Sequence, residues 1–173
     1  MVKPMDDQFA LFHEEQRFGQ WWFWLIILAG ISPAWYLWWK MLILRRASQP
    51  EVAPDAIVWL VWLGVGVVLP VLFASMRLIT QVRYDGVYVR FVPFHWRWVK
   101  IEPERIQGVK AREYNALLEY GGWGIRYGAQ GKAYTVSGKQ GVELEFADGS
   151  ILLIGSQKAE ELERRILEIL PKR

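Results

Sequence analysis

The stretch WWFWLIILAGISPAWYLWW, residues 21–39, runs through nineteen positions without a charged side chain. At about 1.5 Å per residue, a helix of that length covers about 28 Å, the thickness of a bilayer's hydrocarbon core. A second stretch, AIVWLVWLGVGVVLPVLFASM at residues 56–76, is likewise uncharged. Both read as transmembrane helices, forming a hairpin over residues 21–76 with spans at 21–44 and 56–76. The competing reading, a pair of buried helices in a soluble bundle, fits less well, because such helices rarely run this far without a charge. A cleaved signal peptide is also a poorer fit, since the first apolar run is too long and ends in tryptophans instead of a small-residue cleavage site.

Working outward, eight of the eleven tryptophans fall before residue 63. Indole prefers the boundary between lipid and water, where its apolar body and its polar N–H are both satisfied. Trp21, Trp22 and Trp24 mark one end of the first span, and Trp35, Trp38 and Trp39 the other. In a hairpin, Trp59 and Trp62 come beside the latter group. Pro33 and Pro70 interrupt the spans, and Ser32 and Ser75 are placed to satisfy carbonyls they free. Gly30 and Ala34 form a small-xxx-small pair that allows close approach toward Gly64 and Gly66. Neither apolar run, 21–39 or 56–76, contains Asp, Glu, Lys, Arg or His, which argues against a pump or channel.

Orientation follows from the flanking cations. Lys40, Arg45 and Arg46 lie in the linker, against Lys3, Arg17, Arg77, Arg83 and Arg90 outside the hairpin. The excess favours a multi-pass protein of the inner cell membrane with both termini cytoplasmic, residues 1–20 as a cytoplasmic segment and 40–55 as the external loop. The chain has no cysteine, which excludes disulfides, thiolate metal sites and a cysteine nucleophile. Its formal net charge is +3, but residues 77–112 alone hold eight Lys or Arg against three acids.

From Leu78 onward the hydrophobic period changes to two. Val87, Val89 and Phe91 alternate with Tyr88 and Arg90, and Val142, Leu144 and Phe146 with Glu143 and Glu145, as in half-buried antiparallel strands. Asp85-Gly86 and Asp148-Gly149 supply the turns. Strands are expected near residues 79–84, 87–92, 96–101, 106–113, 123–128, 132–136, 141–147 and 150–154, some of them merging or proving to be loop. A helix follows over 157–170, with Ser156 as N-cap, Glu160 and Glu161 in its first turns and Pro171 as its stop. Its stripe of Ala159, Leu162, Ile166, Ile169 and Leu170 must pack on the sheet.

About seven strands followed by one amphipathic helix resembles the pleckstrin-homology (PH) superfold. TQVRYDGVYVRFVPFHWRWVKIEPERIQGVKARE, residues 80–113, is similar to the start of bacterial PH-like domains, with its Asp-Gly hairpin followed by Trp98, Ile101 and Ile106. EYGGWGIRYGAQGKAYTVSGKQGVELEFADGSILLIGSQKAEEL, residues 119–162, resembles a family of small prokaryotic proteins of unknown function. In that family GGWGIR, AY-x-VSG, GV-x-L and IGSQ recur in this order, and FHEEQRF at residues 12–18 fits as well. The resemblance covers nearly the whole chain and implies an architecture. A membrane α-helical hairpin precedes an α+β domain over 77–173, a PH-like antiparallel β-barrel or sandwich of about seven strands capped by one C-terminal helix. It brings no activity or catalytic residue with it.

Chemistry-bearing motifs are sparse. His13, Glu14 and Glu15 lack the second histidine one helical turn away that a metalloprotease-like site requires, so a solvated juxtamembrane segment explains them better. Gly121, Gly122, Gly124 and Gly128 are followed by neither Gly-Lys-Ser/Thr nor a helix, so they suggest a bulge or a close strand crossing around Trp123 and no phosphate loop. Glu143 and Glu145 are expected to solvate an exposed strand face. The basic set Arg83, Arg90, Arg97, Lys100, Arg105, Lys110 and Arg112 could meet anionic head groups or form an ordinary mixed-charge surface. Nucleic acid is the weaker use of these charges, since no single stripe interleaves them with aromatics.

The expected function is non-enzymatic: a membrane-anchored PH-like module that binds a protein partner, or itself, at the inner membrane face. Trp123, Arg126 and Tyr134 are the candidate partner contacts. The alternative is an anionic-lipid sensor using Arg83, Arg90, Arg97 and Lys100. No nucleophile-base pair suggests an enzyme, and neither a cofactor nor a small-molecule substrate is expected.

Overall fold

The structure, a computed structural model, describes residues 10–47, 55–128 and 131–171. Residues 48–54 of the expected external loop lie outside the described residues. The chain divides into two compact units. One runs from Phe18 to Ser75, and the other joins the residues up to Arg17 with those from Met76 onward.

The first unit is helical. α1 (Trp21–Ala47) leads to α2 (Asp55–Val61), a π-helical stretch (Trp62–Val68) and α3 (Leu69–Ser75). Among the described residues one helix, Trp21–Ile43, is long and apolar enough to cross a membrane, with 23 residues and a mean hydropathy of 1.3. The second apolar run, Trp59–Ser75, is shorter. Each proline frees a carbonyl four residues earlier, and each of those carbonyls has a donor. Ser32 Oγ donates to Ala29 O at 2.8 Å, the carbonyl that Pro33 leaves unpaired. Gly66 O, freed by Pro70, accepts instead from the Trp35 indole N–H at 3.2 Å. Ser75 donates to Leu72 O and so does not serve Pro70.

The same tryptophan shapes the seam between the two runs. Trp38 stacks on Trp62 at 5.0 Å, while Trp35 and Trp59 meet Trp62 edge-on at 5.4 and 5.6 Å. Trp39 remains exposed. Of the small residues expected at a close approach, Gly30 and Gly64 would leave an added Cβ with nothing within 4 Å, whereas Gly66 lies under the Trp35 ring. Interlocking indoles thus hold this seam where a small-residue groove was expected.

The second unit holds two sheets and a closing helix. β1 (Phe12–Arg17), β2 (Arg77–Arg83), β3 (Gly86–Val92) and β4 (Val99–Ile101) form one sheet in that order. A 3-10 turn (Pro103–Arg105) leads to β5 (Ile106–Glu113), α4 (Ala116–Tyr120), β6 (Gly124–Gly128), β7 (Gly131–Thr135), β8 (Gln140–Phe146) and β9 (Ile151–Gly155). These five strands make the other sheet in the order β5-β8-β9-β7-β6, with β7 and β9 parallel. Nine strands in two sheets thus replace the barrel or sandwich of about seven, and no closed barrel forms among the described residues.

All eight expected strands are present within a few residues. The ninth, β1, was expected to be a solvated juxtamembrane segment. It pairs antiparallel with β2 through six registered positions, from Phe12 opposite Val82 to Arg17 opposite Arg77. Its alternation explains this, since Phe12 and Gln16 are buried while His13 and Arg17 are exposed.

α5 (Ala159–Ile169) closes the unit, touching β5 and β8 of one sheet and β2 of the other. Leu162 and Ile166 are fully buried there, each contributing about 1.5–3 kcal/mol by leaving water. Ser156 is not its N-cap. Lys158 occupies that position, and Ser156 Oγ accepts the Lys158 N–H at 3.0 Å, shaping the turn that precedes the helix.

Candidate functional site

The HEE motif is used for structure. The His13 ring lies 2.9 Å from the Gln81 amide. The Glu14 carboxylate accepts the Ser156 hydroxyl at 2.5 Å and the Gln157 N–H at 2.8 Å, binding β1 to the turn before α5. Glu15 pairs with Arg17 and Arg77 at 2.8 and 3.2 Å, and these partners, Arg17 foremost, hold its carboxyl below the ordinary glutamate value. Glu143 does more than solvate its strand: it accepts from Arg112 Nε at 2.6 Å, while Arg112 reaches Glu119 of α4 at 2.8 Å.

The glycine tract also has a local explanation. Asn115 caps α4 by accepting from the Leu117 and Leu118 N–H groups, and Gly121 ends it at φ +69°. Gly122 and Gly124 follow at positive φ, turning the chain into β6. Trp123 between them packs on the buried cluster of Tyr114, Ala116, Tyr120, Ala133 and Leu153. Arg126 turns back and donates to Trp123 O at 3.0 Å.

A concavity of this unit lies elsewhere. A groove of about 710 Å³ runs between β4, the β6 and β7 ends, and the turn joining β8 to β9. Its lining includes Lys100, Arg105 and Lys132 together with Tyr127, Tyr134 and Phe146, and among the described residues that line it there is no carboxylate. Lys132 Nζ sits 4.7 Å above the Tyr134 ring and 5.3 Å above Tyr127, and Arg105 lies 5.7 Å above Phe146. Burial opposes the Lys132 charge, but hydrogen bonding to Tyr134 and Tyr127 outweighs it and raises the pKa above that of an ordinary lysine. Lys100 donates to Asp85 at 2.9 Å, and that hydrogen bond raises its pKa. The aromatic rings beneath Lys132 and Arg105 suit an anion, because cations over ring faces are held in place without being neutralised, whereas Lys100 already has Asp85 as its ion partner.

The sequence-named residues are distributed unevenly. Lys100 and Tyr134 come together at the groove, with the Tyr134 ring almost wholly buried. Arg83 lies nearby, its guanidinium 5.1 Å over Tyr88. Trp123 and Arg126 are not part of the groove lining. Arg90 and Arg97 belong to the other end of β3, where Arg90 donates to His95 O at 3.2 Å and Arg97 is exposed. Lys132 and Tyr127 were missed because their only sequence signal is alternation along two short strands.

A model of a family of unknown function, DUF6141, matches residues 4–171. The chain belongs to that family. The match spans both units, so this DUF6141 member carries the helical segment and the sheets as parts of one family pattern. No curated protein matches the chain, and no solved structure does.

His95 gives this DUF6141 member a pH response. Its ring packs edge-on against Tyr134 at 5.4 Å, and its Nδ1 accepts the Phe91 N–H at 3.3 Å. Burial, and secondly the charge of Lys132, lower its pKa below the ordinary 6.5. The unfolded chain therefore takes up this proton at higher pH than the folded one. The stability from neutral His95 is complete above pH 6.5 and is lost as pH falls through the lower folded value. The urea midpoint of the full chain in detergent should begin to fall below pH 6.5, and His95→Asn, which keeps an acceptor but does not titrate, should remove that first part of the decline.

Proposed function

We propose that this DUF6141 member is a non-enzymatic, membrane-anchored binding module whose basic-aromatic groove receives an acidic segment of a protein partner at the cytoplasmic face. The groove carries this reading: Arg105 and Lys132 lie over aromatic rings, Lys100 stands beside them with Asp85 as its ion partner, and no carboxylate is among the described lining residues. An acidic peptide matches it in charge, and acidic or neighbouring side chains can cover the rings.

The anchor is the helical segment, held in the bilayer as a two-span hairpin. β1 supports this, because Arg17 on one side of the segment and Arg77 on the other are register partners in one sheet. A folded body occupies one side of a membrane, so a segment with both ends in that body crosses an even number of times. With Trp21–Ile43 as the first crossing, Trp59–Ser75 is the return, and its 17 residues reach about 26 Å. The excess of cations outside the hairpin favours a cytoplasmic domain. A PH-like reading of the domain remains part of this proposal, supported by two sheets closed by one C-terminal helix.

The register favours a protein over lipid at the groove. Lys100 is opposite Tyr88, whereas Arg77, where the chain returns from the helices, is opposite Val92. Four strand residues, about 13 Å, separate those positions. The test uses the full chain in neutral-lipid nanodiscs with a fluorescein-labelled oligoglutamate probe. Binding should weaken with salt, and Arg105→Gln combined with Lys132→Gln should weaken it by about tenfold or more, while Arg126→Gln leaves it unchanged. Equal binding by the double variant and the parent protein would remove the groove as the site.

A further inference from the structure

The loop between β3 and β4, Pro93–Trp98, presents two large aromatics to solvent. Trp96 is 92% exposed and Phe94 52%. The loop backbone is nevertheless fixed. The His95 N–H donates to Phe91 O at 2.7 Å, the Phe91 N–H to His95 Nδ1 at 3.3 Å, and Arg90 Nε to His95 O at 3.2 Å. Trp98 is held differently, edge-on to Tyr88 at 6.4 Å with the Arg90 guanidinium 6.0 Å over its ring. A braced loop that packs one tryptophan against Tyr88 and leaves Phe94 and Trp96 exposed side by side presents an apolar surface of the kind that marks contact with protein or membrane.

Position in the sheet identifies that partner. The chain leaves this sheet after Arg17 and returns at Arg77, and Arg77 is opposite Val92, the residue immediately before the loop. The loop therefore begins at the end of the sheet where the apolar helical segment departs and re-enters. Tyr84 is also exposed but belongs to the opposite end, in the turn joining β2 and β3 beside Asp85. Around the loop, Arg17 and Arg77 share the single carboxylate of Glu15, and Arg97 adds a further positive charge. Tryptophan and phenylalanine flanked by arginine match the bilayer interface, where indole lies at head-group depth and guanidinium meets lipid phosphate.

We propose that Pro93–Trp98 is a bilayer-contact loop, with Phe94 and Trp96 entering the lipid interface and Arg97 meeting anionic head groups. This rests on the membrane-hairpin reading above, and the experiment separates the two. Because the chain has no cysteine, single spin labels can be placed at Phe94→Cys, Leu28→Cys in α1 and Leu118→Cys in α4, each in the full chain in proteoliposomes containing anionic lipid. Collision with oxygen and with an aqueous nickel chelate then reports depth.

The labels at positions 28 and 94 should favour oxygen, and the label at 118 should favour nickel. In the Phe94→Cys protein, adding Trp96→Ser should move the label toward nickel. A lipid-exposed label at 28 with an aqueous one at 94 overturns the loop proposal alone. An aqueous label at 28 overturns the hairpin and the loop proposal with it. A label at 94 shielded from both reagents means a protein contact and also overturns the proposal.

Discussion

Gly131→Ala is expected to cost about 3–5 kcal/mol and to lower the unfolding midpoint by about 10 °C, because backbone strain and a steric clash add at one position. Gly131 has φ +118°, which L side chains rarely adopt, and an added Cβ would collide with the Ile151 carbonyl oxygen. That oxygen belongs to a backbone that cannot retreat easily, since β9 is paired with β8 on one side and β7 on the other. Gly138 supplies the control: it has φ +82° but nothing within 4 Å of an added Cβ. Gly138→Ala should therefore cost only the backbone part, about 1–2 kcal/mol. Thermal unfolding of both variants in detergent decides the matter, and equal midpoints would mean that the strands separate freely at Gly131. Since Gly131 lines the groove, the variant should also lose binding of the acidic probe.

Strand positions were legible in this chain because most of its strands bury one face, and alternation at period two records that directly. Val142 and Leu144 are fully buried, while Glu143 between them is only partly so. Strand order was not legible, since nothing local in AYT or LLI states that β7 and β9 run parallel. β1 escaped for a related reason. Its partner lies sixty residues downstream beyond an apolar segment, and FHEEQR is too polar to suggest a strand without that partner. α4 was within reach, because Asn115, Glu119 and Gly121 form a cap, a back-bonding acid and a left-handed stop within seven residues.

The groove was only partly legible. Lys100, Arg105 and Tyr134 had been singled out, each for a separate reason, but only the pairing of β7 with both β6 and β9 brings Lys132 and Tyr127 beside them. Arg83, Arg90, Arg97 and Lys100 read as one basic set along the sequence. The register of β2, β3 and β4 divides them, with Arg83 and Lys100 toward one end of the sheet and Arg90 and Arg97 toward the other. The two proposed uses, binding of a soluble acidic segment and contact with lipid, thus fall toward different ends of this sheet and can be tested separately.

The second large effect is expected where β1 is fastened. Gln16 is buried and donates to Gly155 O at 2.8 Å and to Glu14 at 3.1 Å, while Glu14 takes the Ser156 hydroxyl and the Gln157 N–H. Replacing both residues by alanine leaves a buried carbonyl and a buried hydroxyl without these partners. Each such group costs about 1–3 kcal/mol, so the double variant should lose about 2–6 kcal/mol. Glu15→Ala, which removes only the partly exposed pairs to Arg17 and Arg77, should change stability by less than about 1 kcal/mol. A single thiol at Thr80→Cys reports on the strand itself, because Thr80 is 1% exposed and lies opposite Glu14. That thiol should be protected in the parent protein and in Glu15→Ala, but should react rapidly in the double variant. If it stays protected and the midpoint does not move, the backbone ladder alone holds β1 and the Glu14 contacts are incidental. If β1 is released as expected, these side chains are what keeps both ends of the helical segment in one folded body, on which the proposed even number of membrane crossings rests.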